Sequence, residues 1–164
     1  MVLSCTSQGK NTNQSSANES TQKLTIQTGA QQTEAYIPEL TGKRIGLVIN
    51  QTAEINGVSL VDTLKNLGMD IKAIFGPEHG FRGDADAGEK VGNYTDKKTG
   101  LPVISLYGGK QAPSKEDLKN IDILIFDIQD VGSRFYTYTI TLAKVMQACA
   151  DNKELELGLN VVDG

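Results

Sequence analysis

The chain of 164 residues has no tryptophan, a single histidine, two cysteines and only four prolines. It also lacks any apolar run near the roughly 20 residues that a membrane-spanning helix needs. With His79 as its one imidazole, a histidine-based metal site is not expected. Cys5 and Cys149 lie at opposite ends in unlike contexts, so neither a disulfide framework nor a cysteine metal site is expected. The formal net charge is −4 and lysines and arginines form no block, which argues against nucleic acid or an anionic membrane surface as partner. The glycines make no dinucleotide fingerprint and no Walker-type phosphate loop occurs, so nucleotide chemistry has no support and no cofactor is expected. Asp84, Asp86 and Glu89 lack the ligand set of a calcium loop and read as a solvated acidic run.

What remains is a hydrophobic content of 38%, compatible with one globular domain. Its expected bounds are residues 36–164, behind a polar leader at 1–35. Between residues 6 and 32 serine, threonine, asparagine and glutamine dominate, and such a segment buries too little surface to offset its ordering entropy. Val2-Leu3-Ser4-Cys5 is similar to the end of a bacterial lipoprotein signal, whose cysteine receives the lipid, although the charged and hydrophobic parts of such a signal do not precede it here. Cys5 is therefore the expected lipidation site, the polar segment its tether, and the cell envelope or periplasm the expected location. A membrane is reached only through that anchor.

From Tyr36 onward apolar runs alternate with helical patterns. Arg44 to Asn50 reads as a first central strand. Ser59 caps a helix whose Leu60, Leu64 and Leu67 recur at helical spacing, and Gly68 ends it. Ile71 to Phe75 is a buried strand stopped by Gly76-Pro77. Leu101 to Tyr107 is a further strand, and Ser114 to Asp117 a capping box that opens a short helix. Ile121 to Asp127 is almost continuous in large apolar residues and so belongs at the sheet centre. A helix from about Tyr136 to Asp151 should carry Cys149 as a small core residue, and Leu155 to Val162 offers a last strand. The alternation predicts an α/β fold with a parallel or mostly parallel sheet and helices on both faces.

In such a sheet three connections converge on one edge, where open α/β folds place ligands. Asn50-Gln51-Thr52 follows the first strand. Glu78, His79 and Arg82 follow the second. Asp127, Gln129, Asp130 and Arg134 follow the central strand, with Tyr136 and Tyr138 opening the next helix. Each residue also has a structural reading. Glu78 can pair with Arg82, Asp127 can brace its loop, Asp130 can form a turn, and the tyrosines can be core.

Three long segments carry more information: Gly42-Lys43-Arg44-Ile45-Gly46-Leu47-Val48-Ile49-Asn50-Gln51-Thr52, Phe75-Gly76-Pro77-Glu78-His79-Gly80-Phe81-Arg82-Gly83-Asp84-Ala85-Asp86-Ala87-Gly88, and Phe126-Asp127-Ile128-Gln129-Asp130-Val131-Gly132-Ser133-Arg134-Phe135-Tyr136-Thr137-Tyr138. Between about Leu40 and Asp151 the chain resembles the bacterial exo-β-N-acetylmuramidases, which remove N-acetylmuramic acid from the non-reducing ends of peptidoglycan fragments. The resemblance implies a Rossmann-like amino-terminal domain bearing the cleft, and a smaller carboxy-terminal domain that helps to close it. The latter is absent here, and Leu155 to Gly164 departs from the family's Leu-Asp-Arg-Pro-Asn-Pro continuation, so the chain is expected to be truncated. The implied substrate is a peptidoglycan-derived saccharide. Glycoside hydrolysis asks for a proton donor, here Glu78, and a second carboxyl, here Asp127 or Asp130. Arg82 and Arg134 are the implied partners of the lactyl carboxylate of muramic acid. Asn50, Gln51, His79, Gln129 and Tyr136 complete the implied sugar contacts. The competing expectation is a module that holds a cell-wall sugar or muropeptide without cleaving it.

Overall fold

The computed structural model describes residues 26–78, 80–83 and 92–152, together with the backbone of 156–159. Cys5, His79 and the acidic run at 84–89 lie outside the described residues. The first helix, α1 (Thr33–Leu40), leads into strand β1 (Arg44–Ile49). A hairpin of β2 (Glu54–Ile55) and β3 (Val58–Ser59) precedes α2 (Leu60–Asn66) and β4 (Asp70–Gly76). Then come β5 (Tyr94–Thr95), β6 (Pro102–Ser105), α3 (Lys115–Leu118), β7 (Ile123–Asp127), α4 (Tyr138–Asp151) and β8 (Glu156–Leu159).

Six strands form one sheet in the order β5-β6-β4-β1-β7-β8, parallel throughout except for the edge strand β5, which runs antiparallel to β6. The sheet is thus mostly parallel. Its five parallel strands follow the Rossmann order, starting in the middle at β1, moving outward to β4 and β6, and then crossing back to β7 and β8. The direction of winding reverses between β1 and β7, and that switch point opens a crevice at the carboxyl edge.

Every residue of β7 is buried, as are all those of β1 after Arg44, because helices cover both faces. One face carries Ile45, Leu47, Ile49, Ile123 and Ile125 against Leu40 of α1 and Leu60, Val61 and Leu64 of α2. The other carries Val48, Phe75, Leu124 and Phe126 against Leu118 of α3 and Tyr138, Val145 and Cys149 of α4. Burial pushes the Cys149 thiol up to about 11, so it stays a protonated core group, as its helical context predicts. Gly46 leaves room on this face for side chains from the strands on either side of β1. A Cβ there would stand 2.6 Å from Leu124 Cδ2 and 3.2 Å from Phe75 Cε2.

The described fold includes residues ahead of the boundary expected at Tyr36. Thr28 and Gln31 cap each other reciprocally, Ala30 is buried in the first core cluster, and the Tyr36 hydroxyl donates to the Ala30 carbonyl at 2.7 Å. The burial of Ala30 and the Tyr36 bond to it place this segment against the core, although its composition reads as linker. The small hairpin also lay beyond the periodicity, yet it has a local signal. Asn56-Gly57, with φ of 52° and 78°, is the Asn-Gly pair that a two-residue turn requires. The box predicted at Ser114 forms with its aspartate, the Asp117 carboxylate accepting from Ser114 N at 2.6 Å and Ser114 Oγ accepting from Asp117 N at 3.4 Å.

Candidate active site

Because β1, β4, β6 and β7 run parallel, their carboxyl ends deliver four connections to one edge. The β1 connection is a tight turn. Asn50 is buried, and its Oδ1 accepts from Thr52 N at 3.0 Å and Thr52 Oγ1 at 2.6 Å. Thr52 Oγ1 in turn accepts from Gln129 N at 3.4 Å, which ties the first connection to that after β7. Gln51 packs against the connection after β4, for a Cβ on Gly83 would meet its side chain at 3.2 Å. Asn50 and Gln51 thus brace the edge, and the Gln129 side chain stands exposed above it.

Asp127 ends β7 at the switch point and is 4% exposed. Its Oδ2 has no hydrogen-bond partner among the described residues, and burial pushes the carboxyl up to about 6. Strand alternation puts it on the face of Ile123 and Ile125, towards α1. Its negative charge there adds to burial in raising the Tyr36 hydroxyl to about 12. Asp130 behaves differently. It is exposed, and its Oδ1 accepts from Gly132 N at 2.7 Å, the local turn-forming role open to it from its sequence.

Glu78 is half-buried just beyond β4, beside Tyr107 from the connection after β6. Hydrogen bonding to the Glu78 carboxylate, reinforced by its charge, holds the Tyr107 hydroxyl above the usual tyrosine range. Both residues line a cavity of about 440 Å³ that α4 closes on its other side with Tyr138, Thr141 and Lys144, and with Gln111 nearby. Tyr136 lies outside that lining, half exposed, with its ring 5.8 Å from that of Tyr138. Tyr107 and Lys144 were not singled out by sequence. Tyr107 is the last residue of an expected strand, however, and lies just beyond the observed one, while Thr137, Thr141 and Lys144 recur at i, i+4 and i+7 along one helix face.

Arg82, expected opposite a ligand carboxylate, is committed within the protein. Its Nε and Nη2 each donate to Asp96 at 2.9 Å, Asp62 lies 3.7 Å away, and the guanidinium sits 4.6 Å from the Phe81 ring centroid. Asp96 is buried and also accepts from Thr99 N and Oγ1. Arg82 holds the Asp96 carboxyl well below the usual carboxylate range, and the Thr99 bonds reinforce it. The planar fork thus clamps the Glu78 connection onto the segment around residue 96. Arg82→Ala leaves Asp96 buried without its cation and is expected to cost about 3 kcal/mol in urea unfolding. Arg82→Lys should recover only part of it, because an ammonium cannot bridge both oxygens. Arg134 is exposed on the β7–α4 connection, outside the cavity lining.

The same fold recurs in known proteins. The chain is 51% identical over 140 residues to the peptidoglycan beta-N-acetylmuramidase NamZ of Bacillus subtilis strain 168, an alignment covering 84% of this chain and 34% of that protein. Two crystal structures of DUF1343 family proteins from Bacteroides fragilis NCTC 9343 superpose on it with TM-scores of 0.68 and 0.71, at 42% and 41% identity. Each alignment covers 81% of this chain and 33% of the solved one, so the chain spans about a third of the length of these relatives. Residues 45–163 match the family described as exo-beta-N-acetylmuramidase NamZ, N-terminal, and the chain belongs to that family.

Proposed function

We propose that this chain supplies the proton-donating half of an exo-β-N-acetylmuramidase that releases N-acetylmuramic acid from the non-reducing ends of peptidoglycan fragments during cell-wall turnover. The observation that carries this reading is the setting of Glu78. It lies at the carboxyl edge of the sheet, beside a cavity of about 440 Å³, with Tyr107 as its hydrogen-bond partner, in a chain half identical to a peptidoglycan muramidase. Glu78 protonates the leaving glycosidic oxygen, and Asp127 is the second carboxyl. Only β1 separates β4 from β7, so the two strand ends that carry these residues lie about 10 Å apart, with the Asp127 side chain towards α1 and the cavity towards α4. A carboxyl poised near 6 suits a group that must accept a proton close to neutral pH. Asp130, occupied in its turn, is the weaker candidate.

Val131, Phe135, Tyr136 and Ile140 stand exposed beside this edge, Phe135 at 95%. Apolar groups in that position support a second domain completing the cleft, as the family resemblance implies. The similarity of Val2-Leu3-Ser4-Cys5 to a lipoprotein signal supports a cell-envelope location through a lipid on Cys5.

Incubating the complete protein with a disaccharide bearing non-reducing N-acetylmuramic acid should liberate that sugar, and a disaccharide with N-acetylglucosamine at that end should remain intact. Binding without release would leave a sugar-binding module instead.

A further inference from the structure

The cavity beside Glu78 has two charged lining residues among those described, Glu78 itself and Lys144. Lys144 lies on α4, half-buried, and its ammonium donates to the amide oxygen of Gln111. That acceptor is neutral, and no carboxylate pairs with Lys144 among the described residues. Neighbouring Lys110, by contrast, is neutralised by Asp117. Lys144 therefore brings to the cavity a positive charge that pairs with no carboxylate among the described residues, held on a rigid helix by a bond that orients it without cancelling it. The Thr141 side of α4 and the Tyr138 ring flank it, so a sugar ring placed with its glycosidic oxygen at Glu78 has this cation along its flank.

We propose that Lys144 is the specificity-determining residue of this cavity, reading a carboxylate carried on the sugar ring and so selecting an acidic amino sugar over its neutral counterpart. The inference rests on the sugar-hydrolase reading of the same cavity. The two arginines that sequence pointed to do not compete for the role, since Arg82 is clamped by Asp96 and Arg134 lies outside the lining. An ether-linked lactyl group of muramic acid carries such a carboxylate. A stem peptide would supply one too, at the end of a longer and more flexible arm.

The test measures dissociation constants of the complete protein for N-acetylmuramic acid, N-acetylglucosamine and N-acetylmuramoyl-dipeptide, in wild type, Lys144→Met and Lys144→Arg. Wild type should favour the acidic sugar, and Lys144→Met should weaken it about 10- to 100-fold, the range for a hydrogen bond to a charged group. Binding of N-acetylglucosamine should move less than about twofold, a split that a merely structural role would not give. Lys144→Arg should keep the preference. Equal weakening of both sugars, no weakening, or a wild type that does not discriminate overturns the proposal. If the dipeptide, whose lactyl carboxyl is amidated, binds as tightly as the free acid and depends equally on Lys144, the lactyl assignment is overturned. Lys144-dependent selectivity without hydrolysis would remove the hydrolase reading and leave this inference standing.

Discussion

Glu78→Gln is expected to lower release of N-acetylmuramic acid about 1000-fold, within the range that a positioned general acid contributes, while the affinity for the sugar changes only a few-fold. The substitution keeps the shape of the side chain and an acceptor oxygen for the Tyr107 hydroxyl, so the cavity wall should stay in place. It removes the proton that must reach the leaving oxygen. The measurement is single-turnover hydrolysis of a chromogenic muramide beside binding of the free sugar, since a fall in both would report a damaged pocket and not a lost acid. A muramide whose leaving group departs without protonation should be affected least. Turnover within a few-fold of wild type would remove Glu78 from the acid role and move attention to the other groups at the edge.

Asp127→Asn should act in opposite directions on stability and activity. Burial raises the Asp127 carboxyl to about 6 in the folded protein, against its ordinary value of 3.8 when unfolded. Between those values the folded state holds the extra proton, so stability falls as pH rises through this window and stays lower above it. The full difference corresponds to about 3 kcal/mol. Near pH 4 the variant and the wild type should therefore be alike, and near pH 8 the variant should be about 2 kcal/mol more stable by urea unfolding, the amide being uncharged at both. Asp96 contributes with the reverse sign. Its depressed carboxyl stabilises the fold above the ordinary carboxylate range, and that contribution is lost as pH falls through it. Together these two carboxyls contribute most to stability near pH 4. With activity lost in the variant, the cost of keeping Asp127 buried is the stability that a working site gives up. Retained activity together with the stability gain would leave Asp127 as a buried strand-end acid with no part in the chemistry.

Much of this architecture is local information. The β-branched and aromatic runs of β1, β4 and β7, the Ser114 capping box and the helical spacing of α2 and α4 each specify an element from a few neighbouring residues, and the alternation of elements then leaves a mostly parallel sheet as the solution. A sheet built that way must bring the carboxyl ends of its parallel strands to one edge, which is why Glu78 and Asp127 were legible as site candidates before any coordinates. The long motifs added the family in the same manner, residue by residue.

Charge pairing was not legible, because it depends on which groups meet across tens of residues. Arg82 and Asp96 are far from contact in the extended chain, and their clamp exists only once the connection after β4 folds against the segment before β6. Tyr36 and Asp127 are further apart still, yet burial on one face of the sheet lets one charge raise the other's pKa. Lys144 was not singled out in the sequence at all. The sequence by itself determined the central strands, the helices α2 to α4 and the edge at which chemistry is possible. Tertiary structure decided which charges are neutralised inside the protein and which one, on α4, is left facing the cavity, since desolvation and pairing are properties of packed surfaces and not of neighbouring residues.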